Sequence, residues 1–358
     1  MLIYNRYIIN TILPVILAVG AVSISLILII QTMSFLGYLD KGMDIMSFFK
    51  LMSYLIPYLF FIASPLVSVI STLYVYANLQ EERQLIILKS SGLDNFKLAK
   101  PALIIAIIIS ILSFFISFYL LPKSYGALKY QVNYFKDTYV SNIIEEKSFN
   151  QISKFLTLYV EKKLSNNELS GIALFDSKNQ NEKTILMAKK GEIIRTEEGS
   201  TSFILSNGER HTYDSNNNLT RLAFDKLSVD LEAENQKDIN YSKTSFELFI
   251  SELLWPDKNL PMHKQNRLIT EGHLRVVWPM FNFAYVLITL SIFLRYHNPR
   301  KVEIKQYIYP FIPVLLSSYY HFTMQKIIYL NLDYLFLCYL NIVVCIIFGM
   351  WQIKRINL

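Results

Sequence analysis

Cysteine is almost missing from this chain: of 358 residues only Cys338 and Cys345 carry a thiol, seven apart in one apolar run. Thiols placed this way read as packing residues, and the middle of the chain has to fold without disulfides. A glycine-rich loop ending in Gly-Lys-Ser/Thr is also missing, so the chain does not hydrolyse nucleotide by that route. His211, His263, His273, His297 and His321 are scattered with no second histidine at metal-ligand spacing, so neither a zinc site nor another cofactor is expected. There is no nucleophile elbow and no carboxylate pair inside an apolar run. The chain does not read as an enzyme.

Charge is missing over longer distances. Tyr7–Leu39, Leu51–Gln80, Pro101–Pro122, Val276–Leu294, Gln306–Gln325 and Tyr334–Ile353 hold no Asp, Glu, Lys or Arg. A bilayer core takes roughly 20 apolar helical residues to cross, so each run is long enough to be a transmembrane helix. His321 is the only conventional ionisable side chain well inside any of them, which argues against a pump built on intramembrane acids. The first two runs, at 33 and 30 residues, exceed the bilayer core and are expected to tilt or project beyond it. The N-terminal run is too long for a signal-peptide core and shows no small-residue cleavage site, so it is expected to stay as a helix.

What is present divides the chain in three. Residues 123–275 hold 21 Lys+Arg and 21 Asp+Glu and read as a water-soluble domain inserted between helix trios at 1–122 and 276–358. The formal charge of +7 therefore sits in the membrane portion, 14 basic against 7 acidic residues, and does not indicate nucleic-acid binding. Eleven basic residues, Arg6, Arg83, Lys89, Lys97, Lys100, Arg295, Arg300, Lys301, Lys305, Lys354 and Arg355, flank alternate span ends, against Lys41, Lys50 and Lys326 at the others. Positive charge marks the cytoplasmic side. Both termini are thus expected in the cytoplasm and residues 123–275 across the membrane.

Inside the insert the period changes to two. Leu227, Val229 and Leu231 alternate with Ser228 and Asp230, and similar short runs recur at 155–160, 171–175, 184–188, 192–195 and 202–205. Glu198-Gly199, Asn207-Gly208 and Asn216 to Asn218 read as turns between them. The fold class is an α-helical integral membrane protein of six transmembrane helices with an inserted all-β domain, a sandwich, jellyroll or open barrel. Residues 123–150 and 243–275 read as helical or irregular connectors. Proline at 14, 57, 65, 310 and 313 reads as helix kinks.

The loop between the second and third runs, residues 78–92, places polar Glu81, Glu82 and Gln84 before apolar Leu85 and Leu88. Gly92 is expected to end that short helix in left-handed geometry, and Asp94 to cap the next. Acidic and apolar residues on one short cytoplasmic helix suit docking into a groove on a partner; a solvated loop fits the residues equally well.

Three segments carry a resemblance. They are Gln-Leu-x-x-Leu-Lys-x-x-Gly-Leu from Gln84 to Leu93, Glu-x-x-x-Arg-x-x-x-Pro formed by Glu271, Arg275 and Pro279, and Asn298-Pro299-Arg300. In that order, around three spans, an insert and three spans, the chain resembles the LptF/LptG (YjgP/YjgQ) permeases, the membrane subunits of the lipopolysaccharide exporter. Met1 to Tyr7 and the Asn-Pro-Arg tripeptide are more similar to LptF than to LptG.

The resemblance implies partners: a second six-helix permease, LptG-like or LptF-like, the cytoplasmic ATPase LptB docked through coupling helices, and periplasmic LptC and LptA. It implies that lipopolysaccharide enters from the outer leaflet and passes through periplasmic β-jellyroll domains. The coupling helix falls on Glu81 to Leu88, with Gln84 where the family has a glutamate, so Glu81 or Glu82 would supply the charge. Relatives carry a lysine toward the outer end of the first helix; this chain offers Gln31 or, further out, Lys41.

A lipid with several acyl chains loses on the order of 0.8 kcal/mol per methylene exposed to water, so its route needs an apolar slide. Leu227, Val229 and Leu231 are candidates for that slide, or simply for sheet core, and Lys123 and Lys129 for contacts to sugar phosphates. A receptor or sensor with a periplasmic ligand-binding domain is the alternative. Its weakness is that the cytoplasmic segments are too short to hold an output domain.

Overall fold

A computed structural model of the protein describes residues 3–40, 43–138, 145–151, 156–165, 168–179, 182–195, 201–214, 219–230, 243–295 and 303–355. Two compact units emerge. The first is Met1–Ser34, Met52–Leu128 and Thr244–Leu358; the second is Phe35–Leu51 and Lys129–Lys243.

The helices are α1 (Ile3–Asp40), α2 (Ile45–Ser53), α3 (Ile56–Glu81), α4 (Gln84–Ser90) and α5 (Asn95–Phe115). α5 runs on through a π-helical turn, Ile116–Leu120, into α6 (Leu121–Thr138). After the sheet come α7 (Ile250–Leu254), α8 (Met262–Phe293), α9 (Ile304–Leu330) and α10 (Phe336–Arg355). Among the described residues five stretches, Ile3–Leu39, Ile56–Glu81, Asn95–Phe135, Met262–Phe293 and Leu332–Arg355, are long and apolar enough to cross a membrane. The remaining uncharged run, Gln306–Gln325, lies in α9, whose 27 residues extend ~40 Å at 1.5 Å per residue. Its tyrosines, serines and His321 keep its hydropathy below that of the other five.

α8 is the hub of the helical unit. It packs against α3, α5, α9 and α10, and Val277, Phe281, Ala284, Leu287 and Leu290 are fully buried along it. A polar seam crosses this core. Asn282 accepts from the Ser68 hydroxyl at 3.1 Å and donates to Ser64, whose hydroxyl also meets Ser113 at 3.0 Å. Polar groups in lipid need such partners because no water is there to replace them. Of the prolines read as kinks, Pro57 falls in the first turn of α3, where a missing amide costs nothing. Cys338 and Cys345 are free and buried.

The second unit carries a six-stranded antiparallel sheet in sequential order: β1 (Ser148–Gln151), β2 (Leu156–Lys163), β3 (Glu168–Asn179), β4 (Glu182–Arg195), β5 (Thr201–Asp214) and β6 (Leu219–Asp230). A row of residues crosses β2 to β6 without joining the pairing. Glu161, Gly171, Lys189, Asn207 and Asp225 stand opposite one another there, and the pairing resumes on each side. Lys147, just before β1, lies on the same row beside Glu161. Positive φ falls on alternate members of this row, Lys147 at 55°, Gly171 at 63° and Asn207 at 54°. The row is therefore a crease, at which the neighbouring strands leave the ladder together and rejoin it in the same register.

The crease shifts the inward-facing parity. In β3 the buried residues are Leu169 before it and Ile172 and Leu174 after it; in β4 they are Leu186 and Ala188 before it and Gly191 and Ile193 after it. Odd and even positions thus exchange faces within a single strand. One apolar cluster drawn from the strands alone covers the inward face, with Leu158, Val160, Leu174, Phe203 and Leu205 fully buried.

Two sequence expectations are corrected here. Asn207-Gly208 is not a turn between strands but lies within β5, and 184–188 and 192–195 are not two strands but the halves of β4. A phase shift inside one strand breaks the alternation just as a turn does. The expected turns at Glu198-Gly199 and Asn216 to Asn218 lie outside the described residues.

Candidate functional site

The segment after α3 is built by local rules. Arg83 takes a left-handed conformation (φ 61°) and separates α3 from α4. At the far end Gly92 has φ 85°, its amide bonded to the Lys89 carbonyl at 3.0 Å, as expected for a left-handed stop. Asp94 caps α5 by accepting from the Lys97 amide at 2.9 Å. Glu81 and Glu82 are exposed, and Gln84 donates to Glu82 at 2.6 Å.

The apolar residues divide differently from the expectation. Leu85 is buried in the helical core and Leu88 packs against the same cluster. Ile87, two residues from Leu85 and on the opposite face of α4, is 65 % exposed. The outward surface is thus Glu81, Glu82 and Ile87, with Leu85 as the anchor. Burial also lowers the pKa of Lys89 from its ordinary value.

Glu271, Arg275 and Pro279 recur every fourth residue and share one side of α8. Glu271 accepts from the Tyr329 hydroxyl of α9 at 3.0 Å. Arg275 is 1 % exposed, and its guanidinium donates to the carbonyls of Ser245 and of Leu248, the latter at 2.9 Å. Pro279 is buried, and its carbonyl accepts from Asn282 at 3.0 Å. Asn298 to Arg300 lie outside the described residues.

The lipid-contact candidates are divided between the two units. Leu227 and Val229 sit on β6 opposite Leu205 and Phe203 and pack, half-buried, against the apolar cluster of the sheet. Leu231 and Lys41 lie outside the described residues. Gln31 is half-buried on α1, Lys123 is exposed with its ammonium over the Tyr119 ring at 4.0 Å, and Lys129 is half-buried on α6.

One cavity went unread in the sequence. It measures about 550 Å³ with its mouth, and is walled by Ile16, Gly20 and Ala21 of α1, Phe60, Ala63 and Val67 of α3, and Ile109 of α5. Small residues at Gly20, Ala21 and Ala63 are the only sequence trace it leaves. The polar seam at Ser64 and Ser68 closes its floor. α1 beside it is barely covered, with 6 % of its most apolar window buried against 72 % for α8.

Apolar helices of spanning length around an inserted antiparallel sheet define a multi-pass membrane protein. The family model described as "Lipopolysaccharide export system permease LptF/LptG" matches residues 6–355. The chain belongs to this family, and with it to the transport components of lipopolysaccharide export in the inner membrane. It is also 38 % identical over 362 residues to "Uncharacterized protein RP871" of Rickettsia prowazekii (strain Madrid E), covering 99 % of this chain and 100 % of that protein.

Proposed function

We propose that the chain is one transmembrane half of an ATP-driven lipopolysaccharide exporter, paired with a second permease of the same family. The ATPase LptB docks on the surface formed by Glu81, Glu82 and Ile87 and supplies the energy. The termini face the cytoplasm, and the creased sheet stands in the periplasm and hands lipid on to LptC and LptA. The opening residues favour the LptF place in the pair.

The observation that carries this reading is the creased sheet with its continuous apolar side, inserted into a chain that matches the permease family from residue 6 to residue 355. Acyl chains moved through water need a covered apolar path, and Leu227 and Val229 lie where the edge strand β6 opens that side. The cavity between α1, α3 and α5 offers acyl chains a place within the spans, and its apolar walls suit them better than water.

A photo-crosslinker at Val229 in the complex purified from its own membrane is expected to capture lipopolysaccharide only while ATP is hydrolysed. Equal capture without ATP would show Val229 to be sheet core alone.

A further inference from the structure

Three features of the helical unit converge on one place. The chain returning from the sheet forms a 3₁₀ turn, Ser245–Glu247, and then α7. Both pieces are tightly built: the Glu247 carboxylate accepts from the Thr244 amide at 2.9 Å and that of Glu252 from the Phe249 amide at 2.8 Å. Gly272 of α8 leaves the space in which α7 lies, since a Cβ there would stand 2.9 Å from Leu254.

Arg275 then fastens this connector to α8. Its two terminal nitrogens take the carbonyls of Ser245 and Leu248, 30 and 27 residues upstream. Phe246, between those carbonyls, has its ring 5.9 Å from the guanidinium carbon, 5.0 Å from Tyr58 of α3 and 5.4 Å from Tyr125 of α6. The outgoing connector α6 and the returning one therefore meet across a single ring. The π-helical turn at the foot of α6 joins the same site, because the Ser117 hydroxyl donates to the Arg275 carbonyl at 3.3 Å. Such turns interrupt the regular ladder and are frequent at functional sites.

A buried cation held by backbone carbonyls is a costly way to fix a loop, and among the described residues the Arg275 Nε has no hydrogen-bond partner. Burial of a leucine in its place would hold the connector by packing alone, without direction. A two-pronged guanidinium instead ties the connector to one rotational position of α8.

We infer that Arg275 is a positioning residue of the transport cycle: it clasps the connector at 244–254 to α8, so that displacement of the spans is passed to both chain connections of the sheet. This rests on the export reading above.

The test uses the complete complex in lipid nanodiscs. Arg275→Met keeps the volume and removes the fork, Arg275→Lys keeps the charge, and Phe246→Leu removes the shared ring while leaving Arg275 in place. Amide exchange at 244–254 is expected to quicken at least about tenfold in Arg275→Met, less in Arg275→Lys and Phe246→Leu. ATP hydrolysis is expected to continue while ATP-dependent delivery of lipid to a soluble acceptor falls by about tenfold or more, an uncoupling that a merely structural role would not produce. If Phe246→Leu and Arg275→Lys deliver lipid at the wild-type rate per ATP with exchange quickened, the clasp has no part in coupling. If exchange is unchanged in Arg275→Met, there is no clasp. Failure of the wild-type complex itself to deliver lipid would strike the export reading instead.

Discussion

Leu85 and Ile87 lie on the same seven-residue helix in opposite surroundings, one 3 % and the other 65 % exposed. Ile87→Asp is expected to leave stability within about 0.5 kcal/mol, as surface changes do, and to release the docked ATPase. Leu85→Asp should instead cost several kcal/mol by burying an unpaired charge. Thermal unfolding with a pull-down of the ATPase separates the two, and retention of the ATPase by Ile87→Asp would remove this surface as the dock. Gly92 and Asp94 were legible because their roles depend on neighbours within a few residues. The sides of α4 were not, because the surrounding helices choose which leucine is covered. Arg275 was visible as a motif member, but its acceptors are backbone carbonyls, which carry no mark in the sequence.

At the level of elements, the helices were legible from missing charge, and the strands from alternation, up to the crease. There one unpaired residue in each strand shifts the phase of burial while the register holds, and the shift resembles a turn. Asn207 holds positive φ with a side chain that tolerates it. Asn207→Gly is expected to be neutral or mildly stabilising, whereas Asn207→Val should cost about 1–2 kcal/mol or more. Gly171→Ala meets the Glu161 side chain as well as an unfavourable φ, and should destabilise the sheet further. Melting of the β signal by circular dichroism measures all three, and a harmless Asn207→Val would refute the crease.

For the whole molecule, the placement of positive charge predicts a sidedness that can be measured directly. Single cysteines at Asn150 and at Lys226, in a chain with Cys338 and Cys345 replaced by serine, are expected to react with an impermeant maleimide in cells whose outer membrane is permeabilised. A cysteine at Arg6 should react only after the inner membrane is opened. Labelling of position 150 or 226 on the same side as position 6 would overturn the proposed topology. The order of apolar helices, inserted sheet and apolar helices was legible because desolvation of charge is severe in lipid. The cavity was not, since it is a property of helices that pass one another.

The third candidate span is far longer than a crossing requires. From Asn95 to Phe135 it is 41 residues, ~60 Å at 1.5 Å per residue, about twice the hydrocarbon thickness of a bilayer. A crossing uses only about half of this rod, and the π-helical turn lies between its two halves. Each residue in an α-helix turns the chain by roughly 100°, so the one surplus residue stored there fixes the bearing of the upper half, and removing it would swing Tyr125 and Leu128 to a new compass point.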